Sequence, residues 1–365
     1  MNRVLTCLLL SMTACTLQIE QQSKLDLQGA KEIVLDSQRL GDLFFVRVWI
    51  ESQGPFEFLV DTGASTTVLD LPLAHILRKG LESDEEAFYL DEMRIGPLLL
   101  RDHLALAHGL ERYERVLGRN LDGILGYAAF LDVQLIVDYP RSQLRLATSK
   151  APLPPGARLL DLDSPRRPLV RLSVGNEPFT FLVDTGSERG MTLTAPELVR
   201  WQHELRPIAL IQTFEGTRYR YEGRLAADVE FAGTKLHQPI CGTSESVSTL
   251  GASLLRHFTV HLDPRAGILA VSGPREIDFP PVRGFGWSLR REGAGRRVVA
   301  VFPSTPAESA GIQEGDILLE IDGKPIPDLG RHLLEPPYPD HPVRFKLLHE
   351  GREKNVSMPP GVLIP

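Results

Sequence analysis

The stretch that decides the fold is Phe56-Glu57-Phe58-Leu59-Val60-Asp61-Thr62-Gly63, because the chain contains a close copy of it. The copy is Phe179-Thr180-Phe181-Leu182-Val183-Asp184-Thr185-Gly186, and the offset from position 61 to position 184 is 123 residues. In both places an extended, largely apolar run ends in Asp-Thr-Gly, which is typical of a β-strand that enters a tight turn. A repeat of this kind predicts a duplicated β-rich unit.

Three further landmarks recur in the same order around the two copies. An alternating segment precedes each copy, a glycine-containing apolar element follows it, and a strand-like segment comes after that element. These are residues 45–50, 121–126 and 133–138 around the first copy, and residues 169–174, 248–251 and 258–263 around the second. The shared order favours duplication over chance similarity. We predict a mainly β fold with two equivalent lobes, residues 33–150 and 156–275, that form a cleft.

The segments between these landmarks are consistent with strands and turns. Prolines and glycines are spread between short apolar runs, and the proline-rich segment 151–156 is typical of a stiff spacer between lobes. A short helix is expected after each Asp-Thr-Gly, at 71–78 and at 195–201. Each of these segments carries a proline near its first turn, where the missing N–H costs little.

Two Asp-Thr-Gly turns can carry chemistry that a single turn cannot. An approximate two-fold axis between the turns would place the carboxyl groups of Asp61 and Asp184 in contact. Two carboxylates that close share one proton, because like charges in contact cannot both ionise. The ionised partner can take a proton from water while the protonated partner polarises a carbonyl oxygen. This predicts peptide-bond hydrolysis that requires no metal or other cofactor.

At these residues the chain resembles the aspartic proteases of the pepsin and retropepsin type. Residues 61–66 resemble the retroviral form of the motif, residues 184–187 resemble the cellular form, and the resemblance covers residues 33–275. It implies catalytic roles for Asp61 and Asp184 in the hydrolysis of peptide or protein substrates. It also implies that four residues support the catalytic turns: Thr62, Gly63, Thr185 and Gly186. Because both halves lie on one chain, the active site should be intramolecular, without an obligate dimer.

The two motifs differ at the position after the glycine, which is Ala64 in one copy and Ser187 in the other. In this family a hydroxyl at that position helps to stabilise the ionised aspartate, so the resemblance implies that Asp184 is the more acidic partner. The sequence that follows Ser187 is unusual for the motif. Two hairpin-like segments, residues 213–223 and residues 80–91, are alternatives for a flap over the substrate.

A third composition begins near residue 280. Residues 304–322 fit a small-residue helix closed by a glycine, then a strand and an Asp-Gly turn. Residues 283–361 resemble a PDZ domain of the kind attached to bacterial envelope proteases. The resemblance assigns a loop that binds the C-terminal carboxylate of a peptide to Gly284, Phe285, Gly286 and Trp287. The peptide would add a strand to the sheet; the alternative is a stabilising appendage without a ligand.

The first fifteen residues carry a targeting signal. Arg3 provides a positive charge, residues 4–12 are mostly apolar, and small residues lead to Cys15. The stretch resembles a bacterial lipobox, with Met12 where leucine is usual, and this implies that Cys15 is lipidated. The alternative is a cleaved signal peptide that happens to contain a cysteine. We expect a periplasmic or surface-facing location in the bacterial cell envelope, with a lipid anchor in the membrane.

Other classes of function find little support. The formal net charge of −7 offers no basic surface for phosphates, so nucleic-acid binding is not expected. The sequence has no Gly-x-Ser-x-Gly, no His-Glu-x-x-His and no histidine spacing typical of a metal site. Cys241 is expected to be a small buried residue. The predicted function is therefore an aspartic endopeptidase; a catalytically silent peptide-binding protein and a narrow self-processing protease are the alternatives.

Overall fold

The computed structural model describes residues 22–78, 86–213, 216–326 and 341–365. Most of these residues lie in strands, which confirms the predicted mainly β fold class. The described α-helices are short: α1 (Leu71–Leu77), α2 (Glu111–Leu117), α3 (Ala252–Leu255) and α4 (Pro306–Ser309). The helix predicted after the first motif is α1. The helix predicted at 195–201 is wrong, because the structure has a 3-10 turn there, Pro196–Leu198; another 3-10 turn covers Tyr127–Phe130.

The first part of the chain forms an eight-stranded sheet around the first motif. Its order is β1-β8-β6-β9-β5-β4-β3, and β7 pairs with both β4 and β8. The strands up to residue 148 are β1 (Gln22–Leu25), β2 (Glu32–Val34), β3 (Ser37–Leu40), β4 (Leu43–Ile50), β5 (Gln53–Asp61), β6 (Thr67–Leu69), β7 (Ala87–Ile95), β8 (Leu98–Ala107), β9 (Gly123–Gly126), β10 (Val133–Asp138) and β11 (Gln143–Thr148).

The next part forms a ten-stranded sheet around the second motif, in the order β16-β17-β20-β15-β21-β14-β13-β18-β19-β24. Its last strand, β24, extends the sheet three residues past the predicted boundary at residue 275. The strands from residue 158 are β12 (Arg158–Asp161), β13 (Leu169–Val174), β14 (Glu177–Asp184), β15 (Met191–Leu193), β16 (Arg206–Thr213), β17 (Gly216–Arg224), β18 (Val229–Phe231), β19 (Thr234–His237), β20 (Ile240–Thr243), β21 (Ser248–Gly251), β22 (Thr259–Asp263), β23 (Ile268–Ser272) and β24 (Glu276–Asp278).

The two large sheets repeat the same pairing around each motif. In the first, β5 runs parallel to β9, β9 runs antiparallel to β6, and β6 runs parallel to β8. In the second, β14, β21, β15 and β20 pair in the same way and in the same order. The duplication read from the sequence is therefore also a duplication of the fold.

A third sheet joins the two halves. Its order is β12-β23-β22-β10-β11-β2, so each half contributes three strands. At its centre β10 and β22 run antiparallel, with Val137 opposite Val260. One continuous core of buried apolar side chains, from Leu35 to Ile277, extends through both halves. The halves therefore pack as one unit around the two motifs.

The last part of the chain has a separate core. Its strands are β25 (Val282–Gly284), β26 (Trp287–Glu292), β27 (Gly295–Val301), β28 (Ile317–Ile321), β29 (Lys324–Pro325), β30 (Val343–His349), β31 (Arg352–Met358) and β32 (Gly361–Ile364). The strands β26 to β31 form one sheet, and β25 pairs with β32. In the described part of this region, eleven buried apolar residues, among them Phe285, Phe345 and Leu347, form a cluster apart from the core of the two halves.

Candidate active site

The two aspartates end equivalent strands. Asp61 is the last residue of β5, and Asp184 is the last residue of β14. Each lies in register with the final glycine of the neighbouring parallel strand, Gly126 for Asp61 and Gly251 for Asp184. A Cβ atom on Gly126 or Gly251 would lie 2.1 or 2.3 Å from a carbonyl oxygen of the loop that follows the aspartate. The predicted glycine elements therefore pack directly behind the two turns, where a side chain would not fit.

The threonines of the two motifs bind each other's strands. The Thr62 hydroxyl donates to the Val183 carbonyl oxygen over 2.7 Å and accepts from the Thr185 N–H over 3.1 Å. The Thr185 hydroxyl donates to the Val60 carbonyl oxygen over 2.9 Å and accepts from the Thr62 N–H over 3.0 Å. Both threonines are almost fully buried, with exposed fractions of 1% and 2%. This reciprocal set of four hydrogen bonds brings together the residues that directly precede the two aspartates.

The glycines of the motifs cross in the same reciprocal way. A Cβ atom on Gly186 would lie 2.2 Å from Cγ of Asp61, and one on Gly63 would lie 2.6 Å from Cγ of Asp184. Only the absence of a side chain lets each backbone turn approach the opposite carboxyl group this closely. The structure therefore brings together all six residues that the sequence assigned to the site: Asp61, Thr62, Gly63, Asp184, Thr185 and Gly186.

Burial and mutual repulsion shape the charge of the pair. Burial raises the pKa of Asp61, whereas hydrogen bonds from the N–H groups of Ala64 and Gly63 and from the side chain of Asp184 oppose this shift. Burial raises the pKa of Asp184 well above its usual range, and the charge on Asp61 raises it further. The two shifts favour Asp61 as the ionised partner and Asp184 as the holder of the shared proton, which is opposite to what the family resemblance implies.

The loop after the second motif forms its own hydrogen bonds. The Ser187 hydroxyl accepts a hydrogen bond from the Arg189 N–H over 3.3 Å. Each aspartate accepts from two N–H groups of its own turn: Asp61 from Gly63 and Ala64, over 2.8 and 3.2 Å, and Asp184 from Gly186, over 3.0 Å, and from Ser187. The unusual loop nevertheless keeps the common backbone geometry. The N–H of Ala252 donates to the Ser187 carbonyl over 2.7 Å, as the N–H of Tyr127 donates to the Ala64 carbonyl over 2.8 Å.

A cavity of about 250 Å³ opens over the aspartate pair. Its wall contains residues from both halves: Asp61, Gly63, Ala64, Val68, Tyr113, Ile124, Asp184, Gly186, Ser187, Arg189, Thr192, Ser244, Val247 and Thr249. The sequence motifs did not point to Tyr113 or Arg189 as site residues. Tyr113 lies on α2, far from either motif in sequence, and carries no local signal. Arg189 lies five residues after Asp184, and its charge in a catalytic loop was a signal that could have identified it.

Three other features bear on other classes of function. Cys241 is fully buried, as expected, and burial strongly raises the pKa of its thiol, which makes it a poor nucleophile. Within the described residues, no group of three or more His, Cys, Asp and Glu side chains is placed to hold a metal ion. No helix in the described ranges has both the length and the apolar character needed to cross a membrane.

The loop assigned to peptide binding lies between β25 and β26. The carbonyl of Phe285 accepts from the Ala307 N–H, and that of Gly286 accepts from the Phe302 N–H, both over 2.9 Å. In a trans peptide the carbonyl and the following N–H point in opposite directions. The N–H groups of Gly286 and Trp287 therefore point away from these two partners. Phe285 is a core residue in ring contact with Phe345 at 4.9 Å, so the loop would bind through its backbone.

The hairpin of β16 and β17 contacts this last part of the chain. The Leu210 N–H donates to the Ser288 hydroxyl on β26 over 2.7 Å, and the rings of Tyr219 and Phe302 lie 6.2 Å apart. None of the hairpin residues that the structure describes lines the 250 Å³ cavity. The flap assignment of residues 213–223 stays a prediction, and the first half of the alternative, residues 80–85 of 80–91, lies outside the described residues. Cys15 also lies outside them.

Comparisons with known proteins identify one part of the chain. Residues 284–359 match the PDZ domain family. Over 71 residues the chain is 32% identical to the magnetosome formation protease MamE of Paramagnetospirillum magneticum (strain ATCC 700264 / AMB-1). That alignment covers 19% of this chain and 10% of MamE, so the chain matches about a tenth of the length of this relative.

Two solved structures are similar to parts of the chain. The HtrA3 PDZ domain bound to a phage-derived ligand (FGRWV) is 22% identical, with coverage of 23% of this chain and 88% of that chain and a TM-score of 0.21. A retropepsin-like aspartic protease from Rickettsia conorii is also 22% identical, with coverage of 32% and 98% and a TM-score of 0.26. Because both scores are low, the aspartate site rests on its own geometry. The chain contains a PDZ domain, which the family match places at residues 284–359.

Proposed function

We propose that this protein is an aspartic endopeptidase in which Asp61 and Asp184 activate water within one chain. The observation that carries the proposal is the reciprocal set of hydrogen bonds between Thr62 and Thr185. These bonds bring together two strands that are distant in sequence, and each strand ends in one of the aspartates. A partly buried pair that shares a proton, at the floor of a cavity, suits general acid–base catalysis.

In this proposal the two carboxyl groups have different roles. Asp61, the ionised partner, takes a proton from a water molecule as its oxygen attacks the carbonyl carbon of the scissile peptide bond. Asp184 gives its proton to the carbonyl oxygen, which produces a tetrahedral diol. Collapse of the diol restores a carboxyl product, breaks the C–N bond and moves a proton to the leaving amine. Both carboxyl groups then return to their starting state.

The proposal is tested by replacing each aspartate in turn. Asp61→Asn and Asp184→Asn should each abolish cleavage of a diverse peptide library, because neither single carboxyl can act as both acid and base. Circular dichroism and thermal unfolding should show that both variants stay folded. A statine-type transition-state analogue should inhibit the wild type. Substantial cleavage by either folded variant would remove the aspartate pair from the mechanism.

We also propose that the PDZ domain captures the free C-terminus of a peptide and presents substrates to the cleft. The orientation of the N–H groups of Gly286 and Trp287 supports this role. Calorimetry with a short peptide should detect binding, and amidation of the peptide C-terminus should weaken it. Equal affinity for the free and amidated peptides would contradict carboxylate recognition.

A location in the cell envelope remains a proposal that rests on the N-terminal sequence. Cys15 would be the lipidated first residue of the mature protein, on the periplasmic or outer side of a membrane. Mass spectrometry of membrane-extracted protein should detect an acylated Cys15. A soluble mature protein whose unmodified N-terminus lies elsewhere would support a cleaved signal peptide instead.

A further inference from the structure

Arg189 introduces a positive charge into the wall of the cleft. Among the described residues that line the cavity, it is the only one with a basic side chain. Its Nη2 donates to the Thr243 carbonyl oxygen over 2.9 Å, whereas its Nε–H is buried and has no acceptor. Among the described residues, the guanidinium thus has one hydrogen-bond partner, and it keeps unused donors.

The neighbouring strand β20 makes room for this guanidinium. A Cβ atom on Gly242 would lie 2.4 Å from Nη2 of Arg189, so any larger residue at this position would displace the guanidinium. The bond to Thr243, the next residue on the same strand, holds the group in place. The position of Arg189 is therefore determined by the backbone of β20, which is part of the rigid ten-stranded sheet.

Arg189 has no ion-pair partner within the part of the chain that the structure describes. Glu222 on β17 acts on it electrostatically, but Glu222 is paired with Nε of Arg220 over 3.4 Å. Burial lowers the pKa of Arg189, and the charge of Arg220 lowers it further, while the charges of Glu222 and Asp184 oppose both effects. A partly buried cation without an ion pair of its own gains from a ligand that supplies an anion.

We propose that Arg189 binds a carboxylate of the substrate and makes the enzyme selective for acidic peptides. A guanidinium has a planar set of donors that matches a carboxylate, which makes it better suited to this role than a lysine. The inference rests on the proposed endopeptidase function, because it assigns a substrate class to the same cleft. The carboxylate can come from an Asp or Glu side chain or from the C-terminus of the peptide.

The size of the cavity limits where this carboxylate lies in the substrate. Taken as a sphere, a volume of about 250 Å³ is about 8 Å across. An extended peptide advances roughly 3.3–3.6 Å per residue, so the cavity accommodates about two residues in all, one on either side of its centre. The acidic residue should therefore lie next to the scissile bond or one position further, within reach of its side chain.

The test uses the full chain and matched peptides that carry Glu or Gln at each of four positions, two on either side of the cleaved bond. At one position the wild type should prefer Glu by about tenfold to a hundredfold in kcat/KM, the factor expected for hydrogen bonds to a charged group. Arg189→Gln should bring this ratio close to one. Arg218→Gln is the control, because it removes a positive charge of β17 that is paired with Glu245 and leaves the Arg220–Glu222 pair in place, and it should keep the preference. Amidated and free C-termini distinguish the two sources of the carboxylate.

Several results would overturn the inference. These are a wild type without a Glu preference at any position, a preference that survives in Arg189→Gln, or an equal loss in Arg218→Gln. If Arg189→Gln fails to fold, Arg189→Met, which keeps an apolar stem and removes the charge, replaces it, and an undiminished ratio in that variant overturns the inference. Cleavage of the Gln peptides without a preference leaves the proposed function intact. If no peptide is cleaved, that function fails, and calorimetry with statine peptides that carry Glu or Gln then tests Arg189 by the same ratios.

Discussion

The hydrogen bonds between the two threonines predict a large effect from a nearly isosteric change. Thr62→Val keeps the shape of the side chain and removes its hydroxyl. The Val183 carbonyl and the Thr185 N–H, which it binds over 2.7 and 3.1 Å, then lose their partner in a buried place. Each buried group left unsatisfied costs about 1–3 kcal/mol, so the free energy of unfolding should fall by about 2–6 kcal/mol. This is a large share of the roughly 5–15 kcal/mol that stabilises a typical domain.

Thr62→Ser is the matched control. It keeps the hydroxyl and removes one methyl group, which should cost only about 1 kcal/mol. Urea unfolding of both variants, followed by fluorescence, gives the difference in free energy. The cleavage assay should show a greater loss of kcat/KM in Thr62→Val than in Thr62→Ser, because Val183 directly precedes Asp184.

The result that would refute this reasoning is specific. If Thr62→Val is as stable as Thr62→Ser and as active, the reciprocal bonds do not hold the pair together. The same comparison at Thr185 provides a second test, because its hydroxyl makes the equivalent bonds to Val60 and Thr62. The double variant should lose less than the sum of the two single losses, since the two hydroxyls act in one network.

Three more outcomes follow from the site and the fold. Gly186→Ala places a Cβ atom 2.2 Å from Cγ of Asp61 and should lower kcat about a hundredfold if the pair moves by about 1 Å. Gly190→Ala, whose Cβ would lie 3.3 Å from a rotatable serine hydroxyl, should have a far smaller effect. Similar kinetics for the two variants would contradict the crossing of the turns. The rate of peptide cleavage should rise with pH as Asp61 loses its proton, with a midpoint above pH 3.8, and fall again as Asp184 loses its proton. A pH–rate profile whose acid limb has its midpoint below 3.8 would contradict the raised pKa values. A chain that ends at Pro280 keeps β24 and should cleave a short peptide at close to the full rate. It should cleave long proteins less efficiently, because they are no longer tethered by the PDZ domain. Loss of both activities would show that the PDZ domain is part of the catalytic fold.

The sequence predicted the parts of the fold that depend on repetition. The two motifs and their glycine elements are local patterns with a fixed order, and each constrains its own turn, so they identify the paired strands around Asp61 and Asp184. The end of the second sheet was not predictable in the same way. The strand β24 has three residues and joins the sheet by pairing with β19, and no local sequence pattern predicts this contact. The second predicted helix is a single 3-10 turn, although its proline resembles that of α1.

The residues that decide the chemistry of the cleft depend on contacts across the fold. Family resemblance assigned the greater acidity to Asp184 from the hydroxyl of Ser187, whereas the shifts in the structure depend on the burial of both carboxyl groups and on the charge of Asp61 beside Asp184. The charge of Arg189 can be read from the sequence. Its role in the cleft, however, depends on Gly242, which makes room for the guanidinium, and on Arg220, which forms an ion pair with Glu222. Those neighbours come from β20 and β17, which follow the motif by tens of residues. Motif spacing therefore identifies the reacting groups, while the selectivity of the cleft is determined by side chains that only the folded chain brings together.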